Sequence, residues 1–183
     1  VPNGITPVAP ATAEAIAAFC SGHRIESSAK VILFIGRIMP KKKLEDIIVA
    51  FATLRVDFPE LLFAIAGNVA QDSAYHRRLV ALAIGLACAD QIRWLGFLDE
   101  QAKPAALASA AVFVHASESE GMALAILEAM SAGLPIVVSK GCYMREAGAA
   151  GALLECAQGP EALAISLRQV LDRGPLATRL SEN

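Results

Sequence analysis

No two of the four cysteines stand close enough to make a C-x-x-C pair. That excludes a zinc knuckle or a redox dithiol built on such spacing. Cys20, Cys88, Cys142 and Cys156 lie far apart and are expected to be buried reduced thiols, which fits a cytoplasmic setting. Charge is scarce as well. Charged residues make up 19% of the 183 and aromatics 5%, against 55% apolar. A chain this apolar fills a core covered on both faces and does not stay disordered. Neither sign of charge dominates, since the formal net charge is −2, so no basic field points to nucleic acid or an anionic membrane surface. The apolar runs reach about ten residues, half of what a bilayer requires. A G-x-S-x-G, a Walker A sequence and a strand-borne G-x-G-x-x-G are all missing, so hydrolase, ATPase and dinucleotide readings lack their motifs. The three histidines, His23, His76 and His115, have no partners at metal-ligand spacing, and no metal is expected. The chain opens at Val1 without a signal pattern, which predicts a piece cut from a longer protein.

What is present is an alternation. Residues 1–10 hold three prolines and an Asn-Gly and read as a linker entering a domain that occupies 11–183. Thr12 is placed to cap a short helix ending near Gly22. "KVILFIG" (30–36) is a continuous β-branched run, the mark of a strand buried on both faces. A helix follows over about 44–56, with Leu44, Ile47, Ile48, Phe51 and Leu54 at helical spacing. Strands are predicted again at 61–67, 91–96, 111–116 and 134–139, with a weaker one at 151–155. Helices are predicted between and after them, at about 72–87, 100–109, 121–132 and 160–172. This order predicts an α/β fold: a Rossmann-like three-layer sandwich with a mostly parallel sheet. Ligands of such sheets sit beyond the carboxyl ends of the strands, so residues just after a strand carry the functional question.

After the first strand come Gly36 and Arg37, then Lys41, Lys42 and Lys43 at the start of a helix. Cations there oppose the helix dipole, an arrangement that makes sense around an anion such as phosphate. After the second strand, Gly67 and Asn68 permit close backbone approach. After the third comes "GFLDE", mostly a loop signal; the backbone of Phe97 and Leu98 could read a nucleobase edge, though the local chemistry does not require it. After the fourth comes "SESEGMALAILEAM" (117–130). Ser117 or Ser119 is expected to cap its helix. The N–H groups of Gly121, Met122 and Ala123 would then form an anion cradle at the helix end. Glu128 falls in an apolar stretch and needs a hydrogen-bonding partner if buried. If residues 120–128 are all helical, Glu120 and Glu128 lie about 12 Å apart along the axis and within about 80° around it. Two carboxylates flanking an anion cradle suit a nucleotide-sugar, with a hydroxyl-bearing ring at each end. His115 reads as a structural histidine.

These pieces, in this order, resemble the carboxyl-terminal, donor-binding domain of retaining glycosyltransferases of family 4 (group 1), which have the two-domain GT-B fold. "VPNGI" is similar to the hinge entering that domain, "GRIMPKKK" to its Gly-Arg…Lys-Gly turn, and "IRWLGFL" to its strand ending in Gly. "SESEGMALAILEAMSAGLPIVVS" resembles its E-x7-E block. The resemblance spans nearly the whole chain. It implies a hexosyltransferase of polysaccharide-type biosynthesis, with Arg37, Lys42 and Glu120 as the catalytic set. Arg37 and Lys42 would bind the donor diphosphate, and Glu120 would orient the transferred sugar rather than act as nucleophile. The backbone at Gly121, Met122, Ala123 and Leu124 would meet phosphate or sugar. Glu128 would hold the ribose, Phe97 and Leu98 would flank the base, and Gly36, Gly67 and Asn68 would line the donor site. The nucleotide-diphospho-sugar is a substrate, and no cofactor or metal is implied. The acceptor would be held by an amino-terminal domain absent from this chain, and that domain would also carry any peripheral membrane contact. Three positions depart from the family pattern: Lys43 and Ala123 stand where the family has glycine, and Ala116 where it has proline. Other readings are a non-catalytic α/β nucleotide or sugar-phosphate binding module and a GT-B-like epimerase or phosphorylase. A receiver-like module is disfavoured, because the cluster after the first strand is basic.

Overall fold

The computed structural model describes residues 6–68, 73–120 and 123–172. One parallel sheet organises them: β1 (Lys30–Ile35), β2 (Leu61–Ala66), β3 (Ile92–Gly96), β4 (Val112–His115), β5 (Ile136–Ser139) and β6 (Leu154–Cys156). The strand order is β3-β2-β1-β4-β5-β6. The expected fold class is thus observed.

Both faces of the sheet are apolar because the strands carry no polar alternation. In β1, Ile32 and Phe34 point into one core layer while Val31 and Leu33 point into the other. In β2 the same division separates Leu61, Phe63 and Ile65 from Leu62, Ala64 and Ala66, as the period of two requires. The first layer is closed by α2 (Leu44–Leu54), α3 (Ser73–Gly85) and α7 (Pro160–Leu171). The second is closed by α1 (Ala13–Gly22), α4 (Lys103–Ala108), α5 (Leu124–Ser131) and α6 (Arg145–Ala149). In α2, Leu44, Ile47, Ile48, Phe51 and Leu54 are all fully buried, the stripe that the helical spacing foretells.

Local signals set several ends. Thr12 caps α1, its Oγ1 accepting from the Ala15 N–H at 3.2 Å, as expected. At the start of α2, the Leu44 N–H donates to the Tyr75 hydroxyl at 3.1 Å, and that hydroxyl donates to Glu45. Burial and the Glu45 carboxylate push the Tyr75 phenol up.

Two expectations are corrected. The helix placed at 121–132 begins at Leu124, with extended Ala123 at its N-cap and no side-chain cap. Neither Ser117 nor Ser119 caps it, because Ser117 Oγ bonds Glu120 instead. Helix α6 was not expected from the sequence. It is a five-residue turn, Arg145–Ala149, too short to show a helical period.

Candidate functional site: the crevice at the carboxyl edge of the sheet

The strand order reverses between β1 and β4, and the chain leaves those strands in opposite directions. In a parallel sheet such a reversal marks the carboxyl edge as the ligand side. The predicted residues lie at that edge in two groups.

The first group lines a cavity of about 380 Å³. Gly36 and Arg37 enter from β1, Gly67 and Asn68 from β2, and Phe97 and Leu98 from β3. Glu100, Lys103 and Glu128 close the far side. The floor is tight. A Cβ on Gly67 would lie 2.0 Å from the Gly36 carbonyl oxygen, so only glycine allows the β1 and β2 exits to lie this close. The Gly36 N–H donates to Ala66 O at 2.9 Å and the Gly67 N–H to Gly96 O at 2.7 Å, which ties three strand ends together. Leu98 is buried and Phe97 is largely exposed at the rim.

Glu128 projects from α5 between the buried Ile126 and Ala129. Its side chain is 19% exposed, and Oε1 accepts from the Lys103 ammonium at 2.8 Å. The partner that a sheltered carboxylate requires is therefore present. Lys103 also bonds Glu100 at 2.9 Å. Burial alone would lower the Lys103 ammonium, but the two glutamates outweigh it and hold the group above its ordinary value.

The second group lies at the β4 exit. The Lys42 ammonium bonds the Glu120 carboxylate, and Ser117 Oγ donates to the same Oε2 at 2.8 Å. Burial alone would raise the Glu120 carboxyl. The Lys42 and Ser117 bonds reverse that and hold it below the ordinary range. The loop that carries Glu120 is held by backbone contacts. The Glu118 N–H donates to Lys41 O and the Glu120 N–H to Gly141 O, each at 2.9 Å. Ser139 Oγ donates to Ser117 O at 3.0 Å. A Cβ on Gly141 would sit 2.1 Å from Ser117 O, so the β5 exit must be glycine there. Beneath the pair lies His115, 1% exposed. Burial, then Lys42, depresses its pKa to about 4, so the ring is neutral, and Nδ1 stands 3.6 Å from Cys142 Sγ.

The arrangement differs from the expected one in a physical way. Glu120 precedes α5 and is not on it, so the two carboxylates are not spaced by helical rise. Arg37 and Lys42 have different partners. Arg37 lines the cavity that Glu128 faces, while Lys42 is buried against Glu120. Gly121 and Met122 lie outside the described residues, so the cradle expected there is represented by Ala123 and the exposed Leu124. Ala123 has φ −81° and ψ 103°, which alanine adopts without strain, so its departure from glycine has no backbone cost. Lys43 is different, with φ 48° and ψ 42°, the left-handed conformation that favours glycine. Ala116 is buried at the end of β4.

Lys103 and Gly141 are among the residues of the site not singled out in the sequence. Lys103 is a cation in the first turn of a helix, the same sign that drew attention to Lys41–Lys43. Gly141 is a glycine just past a strand. Among the described residues, no group of three or more His, Cys, Asp or Glu is placed to hold a metal ion. Among them, too, no helix is long and apolar enough to cross a membrane.

Residues 20–183 match the family described as glycosyl transferases group 1. The chain belongs to that family. Its relatives include a D-inositol 3-phosphate glycosyltransferase of Geodermatophilus obscurus, 31% identical over 160 residues. That alignment takes in 83% of this chain and 35% of the relative. A glycogen synthase of Mycobacterium tuberculosis is 32% identical over 166 residues, 87% of this chain and 38% of the relative. The group 1 domain described here thus spans about a third of the length of these curated relatives. Among solved structures, the carboxyl-terminal domain of a group 1 family protein from Francisella tularensis superimposes with a TM-score of 0.82 at 21% identity. It covers 98% of this chain and 94% of that one. The Anabaena protein HepE, solved in complex with UDP and glucose, superimposes with a TM-score of 0.84 at 18% identity over 95% of this chain and 47% of that one. Both likenesses speak to the fold.

Proposed function

We propose that this chain is the donor-binding half of a retaining, family 4 glycosyltransferase with GT-B architecture. It binds a nucleotide-diphospho-sugar for transfer to an acceptor held by an amino-terminal domain beyond this chain. The observation that carries the reading is the cavity over the β1, β2 and β3 exits that Glu128 lines together with Arg37 and Phe97. At the β4 exit a second carboxylate, Glu120, is held by a buried lysine. The nucleoside fits the cavity, its base against Phe97 and Leu98 and its ribose hydroxyls on Glu128. The diphosphate lies towards Arg37, Lys42 and the amino end of α5, and the sugar meets Glu120. An ammonium has three donors; Lys42 gives one to Glu120 and keeps others for phosphate oxygens. The complex of HepE with UDP and glucose supports a ligand of this class.

Transfer breaks the bond between the anomeric carbon and the diphosphate oxygen, and negative charge grows on the leaving diphosphate. Arg37, Lys42 and the positive end of α5 stabilise that charge. Attack of the acceptor hydroxyl on the same face, with the diphosphate assisting its deprotonation, retains configuration. Glu120, ionised and fixed by Ser117 and Lys42, orients the sugar hydroxyls.

Calorimetric titration with UDP, GDP and ADP, and with their glucosyl or mannosyl forms, tests the assignment. Glu128→Ala is expected to weaken every nucleoside diphosphate by about 10- to 100-fold, the loss of hydrogen bonds to a charged group. Glu120→Ala is expected to spare the plain diphosphates and weaken the sugar-bearing donors. Equal losses on both ligand sets for both variants would overturn the division of roles.

A further inference from the structure

Lys103 is a charged member of the cavity wall to which the donor-binding scheme above gives no role. Its placement is costly twice over. It opens α4, where a cation faces the positive end of the helix, and its side chain is only 12% exposed. A cation drawn out of water against a dipole needs a compensating partner. The exposed Glu100 makes a weak one, since its side chain is 91% exposed and solvent screens the pair. The sheltered partner is Glu128, which accepts at 2.8 Å through Oε1. Among the described residues no donor reaches Glu128 Oε2.

We propose that Lys103 is a positioning residue for ribose selection: its ammonium fixes the Glu128 carboxylate through Oε1 and leaves Oε2 aimed at the ribose hydroxyls. The inference rests on the reading of Glu128 as the ribose acceptor. α4 is itself anchored to deliver the lysine, because Asp99 Oδ1 accepts from the N–H groups of Gln101 at 3.0 Å and Ala102 at 2.8 Å. The device therefore runs from the β3 exit through Asp99 and Lys103 to Glu128 on α5. It restricts the carboxylate rotamer before ligand arrives, which lowers the ordering cost of binding.

The test uses UDP, GDP and ADP with their 2′-deoxy counterparts, titrated calorimetrically into the wild-type chain and into Lys103→Met, Lys103→Arg, Glu128→Gln and the Lys103→Met/Glu128→Gln double variant. A thermal melt on each variant checks that it is folded. The wild type is expected to prefer the ribose form of its nucleotide by about tenfold or more. Lys103→Met should lose most of that preference by weakening the ribose form and sparing the 2′-deoxy form, and Lys103→Arg should retain part of it. The double variant should be no worse than Glu128→Gln alone, because both changes remove one device. An equal loss on ribose and 2′-deoxy forms in Lys103→Met would place Lys103 on the base or the phosphates and overturn the proposal while leaving Glu128 its role. An unchanged preference in Lys103→Met would overturn it as well. A Glu128→Gln variant with the wild-type ribose preference would sink the underlying reading instead.

Discussion

Gly67→Ala is a small chemical change with a large expected cost. The new methyl would sit 2.0 Å from the Gly36 carbonyl oxygen and 3.2 Å from its carbonyl carbon, whereas non-bonded atoms rest at roughly 3.5 Å or more. Nothing at the contact is a flexible side-chain tip, so backbone must move, and the β1 and β2 exits must part by more than about an ångström. Two hydrogen bonds stand in the way, Gly36 N–H to Ala66 O and Gly67 N–H to Gly96 O. Each contributes about 1 kcal/mol net and costs about 1–3 kcal/mol when a buried group is left unpaired. The expected loss is therefore about 3–5 kcal/mol, or a fall in Tm of roughly 6–20 °C for a domain of this size. Urea unfolding of the two chains measures it, with the m-value as a check that the unfolded state is unchanged. Because the same carbonyl floors the cavity, nucleotide affinity should fall with stability. Gly22→Ala is the control. It lies in the last turn of α1 with nothing within 4 Å of the added methyl, and it should be neutral or slightly stabilising. A Gly67→Ala variant that loses less than about 1 kcal/mol would show that the strand exits are not locked as described.

Other expectations follow from the same geometry. Lys43→Gly should stabilise the chain by about 0.5–1 kcal/mol. It relieves a left-handed residue at φ 48°, and the gain is partly offset by glycine's freer unfolded state; a lower urea midpoint would contradict it. Stability should decline as pH falls from 6.5 towards 4. The unfolded chain protonates His115 near its ordinary 6.5 while the folded chain resists until about 4, so the unfolded state binds the extra proton throughout that window. The loss is at most about 3 kcal/mol, and His115→Leu should flatten that segment of the stability–pH curve. Below the usual carboxylate value of 4.5 a further loss is expected as Glu120, held low by Lys42 and Ser117, takes its proton. Incubated with a nucleotide-sugar and candidate acceptors, the 183-residue chain should release no glycosylated product, since the acceptor domain is assigned elsewhere; transfer by this chain alone would break that division of labour.

The strands were legible because they are short apolar runs, three of them ending at glycines (Gly36, Gly67 and Gly96), and β1 and β2 needed nothing more to be placed between two layers. The cavity wall was equally readable. Gly36, Arg37, Gly67, Asn68, Phe97 and Leu98 all follow strand ends, and a parallel sheet delivers every such residue to one edge. What sequence could not supply was pairing. Glu128 called for a partner, but Lys103 lies 25 positions away and reaches it only because α4 and α5 pack on the same face. Counting helical turns from Glu120 to Glu128 misplaced Glu120, because its loop is tied by backbone bonds to Lys41 and Gly141, and bonds between remote loops leave no periodic trace. Tyr75 illustrates the same limit: only the fold brings its hydroxyl to the first N–H of α2.

The ladder between β1 and β4 is the shortest in the sheet. It pairs Ile32 with Val112 and Leu33 with Phe113, whereas β1 and β2 pair over six positions. The loops that follow these two strands are clasped by the bond from the Glu118 N–H to Lys41 O. A molecule gripped by Arg37 on one bank and Glu120 on the other would act as a second clasp. Occupancy would then slow amide exchange along β4 and β1 more than along the outer strands, so the sheet itself would register whether its edge is filled.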